Sequence, residues 1–229
     1  MASVLVSRLG THAWTAYCDS LVKRPLVTKI LTGVAGTVVG DGIAQATAHL
    51  SERRAAAARP GARPPRFHYD WARVARLCAY AAAIGSPVGH YWFAFLDKTV
   101  FPTRMAHPLT ALLKMGLDQA IMAPAGMALF FFSISLMEGK RVQQAVEVVQ
   151  DKFVRTMLAN YMLWPAAQLV NFRLVPPEQR ILYVNAIYIG WVSFLSTMAA
   201  SDTRAAKARA GDVPASVVLD PTTYDAKTE

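Results

Sequence analysis

Charged side chains are scarce in this chain, and the stretches that lack them are long. Asp, Glu, Lys and Arg make up 17% of the 229 residues and 54% are hydrophobic, whereas an ordinary soluble domain has about 25% charged residues. Uncharged runs of 20, 19 and 21 residues occupy positions 77–96, 119–137 and 181–201. Because a helix needs about 20 apolar residues to cross a bilayer, the missing charge argues against a water-soluble domain and predicts three membrane spans.

Two further segments are candidate spans with a weaker signal. Residues 26–50 are rich in Gly, Ala, Val and Ile and are interrupted only by Lys29 and Asp41, so we interpret them as a span that carries a buried acid. Residues 156–172 offer only 17 uncharged positions, which is the short limit for a crossing helix. The sequence therefore predicts an all-α, polytopic helical membrane bundle of four or five spans, with a single membrane domain over 1–201.

Cysteines and catalytic motifs are also scarce. Cys18 and Cys78 are the two cysteines, so a disulfide framework is excluded and a bond between the two has no support in the pattern. The five histidines are scattered without metal-ligand spacing, and neither a G-x-S-x-G motif nor a Gly-rich phosphate loop occurs. We therefore expect no metal site, no cofactor, no catalytic residues and no enzymatic activity.

The N-terminal segment lacks the pattern of a secretory signal, since no apolar core precedes a small-residue cleavage site. Arg8 comes before the first acidic residue, Asp19, and Trp14, Tyr17 and Leu21 recur at helical spacing. This pattern is typical of an amphipathic surface helix and resembles a mitochondrial presequence only weakly.

The basic residues raise the question of a polyanionic partner. The formal net charge is +9, and five arginines and three prolines fall in the linker 51–68. Prolines and alanines predict an irregular, exposed loop there, which favours contact with anionic lipid headgroups over a role in solubility alone, and both over nucleic acid. The mixed-charge segment 138–155 is typical of a short interfacial helix. Residues 202–229 are polar and are predicted to form a disordered tail.

Ionisable and amide side chains within the apolar runs are the candidate functional residues, because each is costly in lipid unless it faces a partner or a water-filled cavity. Two hypotheses stay open: these groups line a pore, or they form an intramembrane network that packs helices, with Asp41 paired to a basic residue of another helix. The candidates are Asp41, Gln45, His90, Asp118, Gln119, Gln168 and Asn171.

Local spacing gives more specific predictions for some of these residues. Lys114 and Asp118 are four residues apart, which favours an ion pair at the end of a span. His90 stands without a second ligand nearby, so we expect a hydrogen-bonded packing residue rather than a metal ligand or proton carrier. Pro87 and Pro124 lie within spans and should kink them; Pro87 should also free a backbone carbonyl.

The segment 163–180 carries the densest group of polar residues and prolines. Trp164, Gln168 and Asn171 share one face of a helix. Amides on such a face form hydrogen bonds between membrane helices worth roughly 0.6 to 2 kcal/mol, so helix packing is a sufficient explanation for them. Pro176 and Pro177 should end the helix.

The same segment also resembles a family signature. It reads W-P-x-x-Q-x-x-N-F-x-x-V-P-x-x-x-R and is followed by WVSFLS, as in the Mpv-seventeen family, which includes the twenty-two-kilodalton peroxisomal membrane protein. Weaker motifs precede it in the family's order: D-x-x-x-Q, R-x-x-R, P-x-x-H-x-W and K-x-x-x-D-Q-x-x-x-x-P. Ser86 and Phe194 depart from the usual Gly and Tyr. Besides the polar candidates, the matching residues are Arg73, Arg76, Pro87, Trp92, Lys114, Pro124, Trp164, Pro165, Phe172, Pro176, Arg180 and Trp191.

The resemblance implies a small integral protein of the mitochondrial inner membrane, or alternatively of the peroxisomal membrane, usually with four spans. It further implies a channel for small solutes that supports metabolite homeostasis. The acid-poor N-terminus favours the mitochondrion. A structural, non-conducting membrane protein is the alternative, and association into a homo-oligomer is left open.

Overall fold

The computed structural model describes residues 2–58, 63, 65–104 and 107–191, with side chains described from residue 11 onward. The predicted tail lies outside these residues, as does the second half of the last predicted span.

This described part of the chain is helical, which confirms the all-α prediction. Its long helices are α1 (Ala2–Lys23), α2 (Pro25–Ala57), α3 (Trp71–Tyr80), α4 (Ser86–Thr99), α5 (Pro108–Leu117), α6 (Ala123–Met137), α7 (Val142–Leu174) and α8 (180–191).

Two of the helix boundaries are widened turns rather than breaks. A π turn, Ala81–Gly85, joins α3 to α4, and a second, Asp118–Met122, joins α5 to α6. Pro87 and Pro124 follow them within the first turn of the next helix. A π turn pairs each carbonyl with the N–H five residues later, and a proline supplies no N–H. The widened turn therefore accommodates each mid-helix proline within one continuous helix.

The other helix ends follow the sequence signals closely. Arg24 separates α1 from α2, and Pro25 opens α2 at a position where its missing N–H has no helical partner. Gly139, with a φ of 81°, turns the chain between α6 and α7. The helix α7 ends at Leu174, just before the Pro-Pro pair, as predicted.

Two predicted boundaries were wrong. The linker was expected to begin at residue 51, but α2 continues to Ala57 because the Ala-rich segment 51–57 favours helix. The segment 138–155 was expected to form a separate interfacial helix, yet residues from Val142 onward belong to the continuous helix α7. No proline or glycine interrupts the chain between Val142 and Trp164, so nothing ends the helix there.

Length and composition single out two helical segments that could cross a membrane, Pro25–Ala57 and Pro108–Met137. They include the predicted spans 26–50 and 119–137, and the number of spans, four or five, stays a prediction.

Large apolar side chains face outward around the bundle, and they are more numerous than on a protein surface that contacts water. They include Leu31, Val39, Phe95, Ile121, Leu158 and Met162.

The helix α2 packs through a face of small residues. A Cβ atom placed on Gly33 would overlap Ser86 Oγ in the first turn of α4, and one placed on Gly36 would lie 3.2 Å from Asn185 Cβ in α8. Small residues let the backbones of membrane helices approach closely. This glycine face brings α2 against both α4 and α8.

Side-chain contacts fix the direction of the helices. Lys29, near the start of α2, lies beside His90 of α4, while Gln45, further along α2, bonds to Asp70 at the start of α3. The helix α2 is therefore antiparallel to the continuous unit of α3 and α4. The unit of α5 and α6, then α7, then α8 each reverse direction in turn. One end of the bundle carries the Arg-rich linker, and we call it the linker end.

The opposite end, which we call the core end, holds the hydrophobic core. Phe93 of α4 packs edge-on against Phe172 of α7, with 5.7 Å between ring centroids. The buried members of this core cluster are Phe93, Leu96, Val100, Ala111, Phe172 and Ile181.

Candidate functional site: a cavity with polar groups in its wall

A cavity of about 1310 Å³ lies inside the bundle, and helices α2, α3, α4, α6, α7 and α8 contribute to its wall, as does the π turn ahead of α6. Its wall combines apolar side chains with a series of polar groups. Four of the seven predicted polar residues line it, whereas the other three do not. The four are Asp41, Asp118, Gln119 and Gln168; the three are Gln45, His90 and Asn171.

Asp118 is the central polar group of the wall. Its Oδ1 accepts a hydrogen bond from Trp92 Nε1 of α4 at 2.9 Å. Its Oδ2 accepts from Gln119 Nε2 at 3.0 Å and from Gln168 Nε2 of α7 at 2.9 Å. These three donors are neutral N–H groups, so a carboxylate, which can only accept, suits this position.

The predicted ion pair between Lys114 and Asp118 was wrong. Lys114 Nζ instead donates to Asp97 Oδ1 at 2.6 Å. A helical side chain leans toward the N-terminus of its own helix, which carries Lys114 toward the core end, where α4 finishes. Asp118 is the first residue of the π turn, and its carboxylate contacts α4 and α7 instead.

The amides around Asp118 form a chain of hydrogen bonds. Asn171 Nδ2 donates to Gln168 Oε1 at 2.8 Å, and Asn160 Nδ2 donates to Gln119 Oε1 at 3.1 Å. Asn171 is fully buried. Gln168 and Asn171 therefore contact protein on the face that the sequence predicted, and they join α7 to the π turn.

The tryptophan on that face lies apart from the network. The rings of Trp164 and Trp191 have centroids 6.2 Å apart and meet edge-on, which joins α7 to α8. Both residues line the cavity.

Pro124 leaves one carbonyl of the π turn without a backbone donor. The N–H of Ala123 bonds to Asp118 O, and the next residue, Pro124, has no N–H to offer Gln119 O. Tyr161 of α7 supplies the missing donor, because its hydroxyl lies 3.2 Å from Gln119 O. Tyr161 and Asn160 were not among the predicted site residues, since no local pattern in the sequence marks them.

Toward the linker end, the wall carries an ion pair. Arg73 Nε of α3 lies 2.8 Å from Asp41 Oδ1, with the Asp41 side chain buried and that of Arg73 47% exposed. Gln45 Nε2 donates to Asp41 Oδ2 at 2.7 Å, and Gln45 Oε1 accepts from the backbone N–H of Asp70 at 2.8 Å. Asp41 thus pairs with a basic residue of another helix and also lines the cavity.

Arg76, another residue of the family signature, lies near a charged pair at the linker end. Lys140 Nζ donates to Glu138 Oε2 at 2.6 Å and holds the pKa of that carboxyl below its ordinary value. Arg76 and Lys152 act on Glu138 in the same direction and more weakly.

A second charged cluster lies at the core end, outside the cavity. Asp97 of α4 accepts hydrogen bonds from Lys114 of α5 and from Arg180 at the start of α8; the Arg180 Nη1 atom lies 2.5 and 2.7 Å from the two carboxylate oxygens. Nearby, Lys29 Nζ lies 3.3 Å from His90 Nδ1. Asp97 was not among the predicted site residues, although Asp97 and Arg180 each border an uncharged run.

Among the described residues, no three His, Cys, Asp or Glu side chains form a group that could hold a metal ion. Cys18 and Cys78 are free thiols.

Comparison with known proteins gives consistent matches. Residues 135–196 match the Mpv17 / PMP22 family. Protein sym-1 of Neurospora crassa is 33% identical over 180 residues, which cover 79% of this chain and 95% of that relative. PXMP2/4 family protein 4 of Dictyostelium discoideum is 30% identical over 189 residues, or 82% of this chain and 94% of the relative. Protein SYM1 of Saccharomyces cerevisiae is 30% identical over 182 residues, or 79% and 86%. No solved structure matches.

Proposed function

Because the chain belongs to the Mpv17/PMP22 family of organellar membrane proteins, we propose that it conducts small solutes across an organelle membrane through its central cavity. The observation that carries this proposal is the cavity of about 1310 Å³ with a carboxylate, Asp118, in its wall. A cavity that carries ionisable and amide groups inside an otherwise apolar bundle is the form that a solute pathway takes in a membrane.

We propose further that five helical segments cross the membrane. The helix α7 has 33 residues and is therefore about 50 Å long, which exceeds the hydrocarbon core of a bilayer. Its Thr156 and Gln168 both line the cavity, and its Phe172 reaches the core cluster. The helix α7 thus runs the same course as α2, from one end of the bundle to the other.

The mitochondrial inner membrane is our first proposal for the location, and the peroxisomal membrane is the alternative. The acid-poor N-terminal helix with Arg8 supports the former. Imaging of the tagged chain together with markers of both organelles tests this, and a purely peroxisomal signal would contradict it.

We propose that the linker end contacts anionic lipid headgroups. Phe67, Tyr69 and Trp71 form a ladder of rings, with centroids 6.2 and 4.6 Å apart, and the Trp71 ring is exposed. Aromatic residues of this kind concentrate at membrane–water interfaces. Exposed arginines such as Arg53 and Arg66 flank the ladder, and their charge suits phosphate headgroups.

Conduction is tested by solute flux into liposomes that contain the purified protein. Asp118→Asn and Asp41→Asn each remove a charge from the cavity wall, so we expect each to change the flux of charged solutes by at least about twofold. Asp151→Asn is the matched control, because Asp151 is exposed and lies outside this cavity. Absence of flux from folded protein would contradict conduction, and identical flux in all variants would contradict this lining.

A structural, non-conducting role is the second candidate, and the hydrogen-bond network itself favours it. Gln168 joins Asp118 to Asn171 and thereby ties α7 to the π turn. Under this alternative, Asp118→Asn lowers the thermal stability in detergent, and liposomes with the unchanged chain show no flux.

A further inference from the structure

The cavity has a hydrophobic floor at the core end. Phe93 and Ile181 line the cavity and also belong to the buried core cluster, with 8% and 6% of their surfaces exposed. Beyond them, Leu96 and Phe172 fill the space between α4 and α7 and are buried as well. A constriction made of apolar side chains excludes water and stops the passage of ions and polar solutes.

The linker end of the same cavity has a different character. Its wall there includes Glu52, Arg63 and Arg73, all of which are exposed. The cavity is thus accessible from the linker end and sealed at the core end. A pathway for solutes needs both ends open, so conduction requires the floor to move.

Directly beyond the floor, one carboxylate ties three helices together. Asp97 of α4 accepts from Lys114 of α5 and from Arg180 of α8. The guanidinium carbon of Arg180 also lies 5.2 Å from the ring centroid of Phe172, so the ion cluster and the floor are in direct contact. Lys114 and Arg180 are almost fully buried, with 1% and 3% exposed.

The charge balance makes this cluster a suitable switch. Two buried cations share one carboxylate, and Lys29, itself buried, interacts electrostatically with Glu178 most strongly and then with Arg180 and Asp97 of this cluster. Buried ion pairs contribute little net stability, because desolvation offsets their attraction, but they select one arrangement over another. Structural elements that switch between two states typically have two packing arrangements of similar free energy.

We infer that the floor is a gate and that Asp97, Lys114 and Arg180 form the latch that keeps it shut. This inference rests on the proposed conduction through the cavity. When the latch opens, α4 and α8 separate at the core end and Phe93 leaves Ile181.

One-sided accessibility tests the gate independently of flux. Val184 lines the cavity about one turn from Ile181, so Val184→Cys, in a chain with Cys18→Ser and Cys78→Ser, reports on the space above the floor. A membrane-impermeant maleimide is applied to either face of sealed vesicles with uniformly oriented protein. We expect labelling from the linker side only.

Opening the gate should admit the reagent from the core side. Phe93→Ala removes part of the floor and Asp97→Asn disables the latch, and we expect each to raise the rate of labelling from the core side about tenfold or more. Phe95→Ala is the control for the first, because Phe95 is on the same helix and faces outward. Glu138→Gln is the control for the second, because its ion pair with Lys140 is exposed.

Each result supports or overturns the gate. Labelling of the unchanged chain from both sides at equal rates overturns it, and so does an unchanged rate in folded Phe93→Ala. Gel filtration and thermal unfolding establish folding, and if Asp97→Asn does not fold, Arg180→Gln, which removes another contact of the latch, replaces it. Flux that is present but insensitive to the floor variants contradicts the gate alone. Absent flux in a floor variant that the maleimide labels from both sides contradicts only the conduction.

Discussion

Gly33 of α2 lies directly against Ser86 of α4. A Cβ atom on Gly33 would overlap Ser86 Oγ, whereas a Cβ atom on Gly116 would have no neighbour within 4 Å. The two glycines therefore differ in what an added methyl group meets, although both lie within helices.

We expect Gly33→Ala to lower the free energy of unfolding by a net amount of up to about 2 kcal/mol, because an overpacked contact forces the Ser86 side chain or the backbone to shift at a cost of about 1–3 kcal/mol. This cost should exceed the gain of about 1 kcal/mol that alanine brings to a helix interior. Thermal unfolding in detergent measures the difference.

Ser86→Gly should relieve the overlap in the double variant and recover most of the stability. Gly116→Ala is the matched control and should leave stability unchanged or raise it. A stability loss in Gly33→Ala that Ser86→Gly does not reduce would show that the contact with Ser86 is not the cause.

At the scale of the element, the π turn before α6 depends on a neighbouring helix. Gln119 O has no backbone donor because residue 124 is proline, and Tyr161 of α7 provides a hydroxyl in its place. A buried carbonyl without a donor costs about 1–3 kcal/mol. The wide turn is therefore stable only where α7 lies against it.

Tyr161→Phe should lower the free energy of unfolding by about 1–3 kcal/mol, because it leaves Gln119 O unsatisfied. In a chain with Pro124→Ala, the backbone regains an N–H for that carbonyl. Tyr161→Phe should then lower the free energy of unfolding by less than about 0.5 kcal/mol. Chemical or thermal unfolding of the four chains in detergent gives both values.

Tyr91→Phe is the control, since Tyr91 is 63% exposed on α4. If Tyr161→Phe costs the same with and without Pro124→Ala, the hydroxyl stabilises the protein by some other contact.

The helices themselves were largely predictable from the sequence, because their signals are local. Pro25 and the Pro-Pro pair at 176–177 end or begin helices through their own geometry. The two wrong boundaries lie at 51–57 and 138–155. Composition predicted a loop in the first segment and a short separate helix in the second, but neither segment contains a residue that ends the longer helix observed there.

At the scale of the whole molecule, the positive charge of the linker end should couple the protein to its lipids. Replacing Arg53, Arg54 and Arg66 with Gln should weaken binding of anionic lipid by about 1 kcal/mol per residue. A lipid that binds the folded protein raises its unfolding temperature. We therefore expect anionic lipid to stabilise the unchanged chain more than the triple variant.

The triple Arg→Lys variant keeps the charge and is the matched control. Titration of anionic lipid into detergent-solubilised protein, with thermal unfolding as the readout, separates the two variants. If neutral lipid stabilises all three chains as well as anionic lipid does, the linker end does not select headgroup charge.

The sequence alone determined that this is an all-α membrane protein with polar groups inside its apolar segments, because charge spacing and helical periodicity are properties of neighbouring residues. It also identified Asp118, Gln168 and Asn171 as candidates. Only the tertiary structure decided their partners. Asp118 bonds to Gln168, 50 residues away, and Asp97 bonds to Arg180, 83 residues away.

The physical reason is that a buried polar group takes whichever partner the packing of distant helices brings within about 3 Å. Lys114 shows this most clearly. A residue four positions away was available to it, yet the end of α4 lies where its side chain points. The cavity, its floor and its latch likewise exist only once α4, α7 and α8 meet.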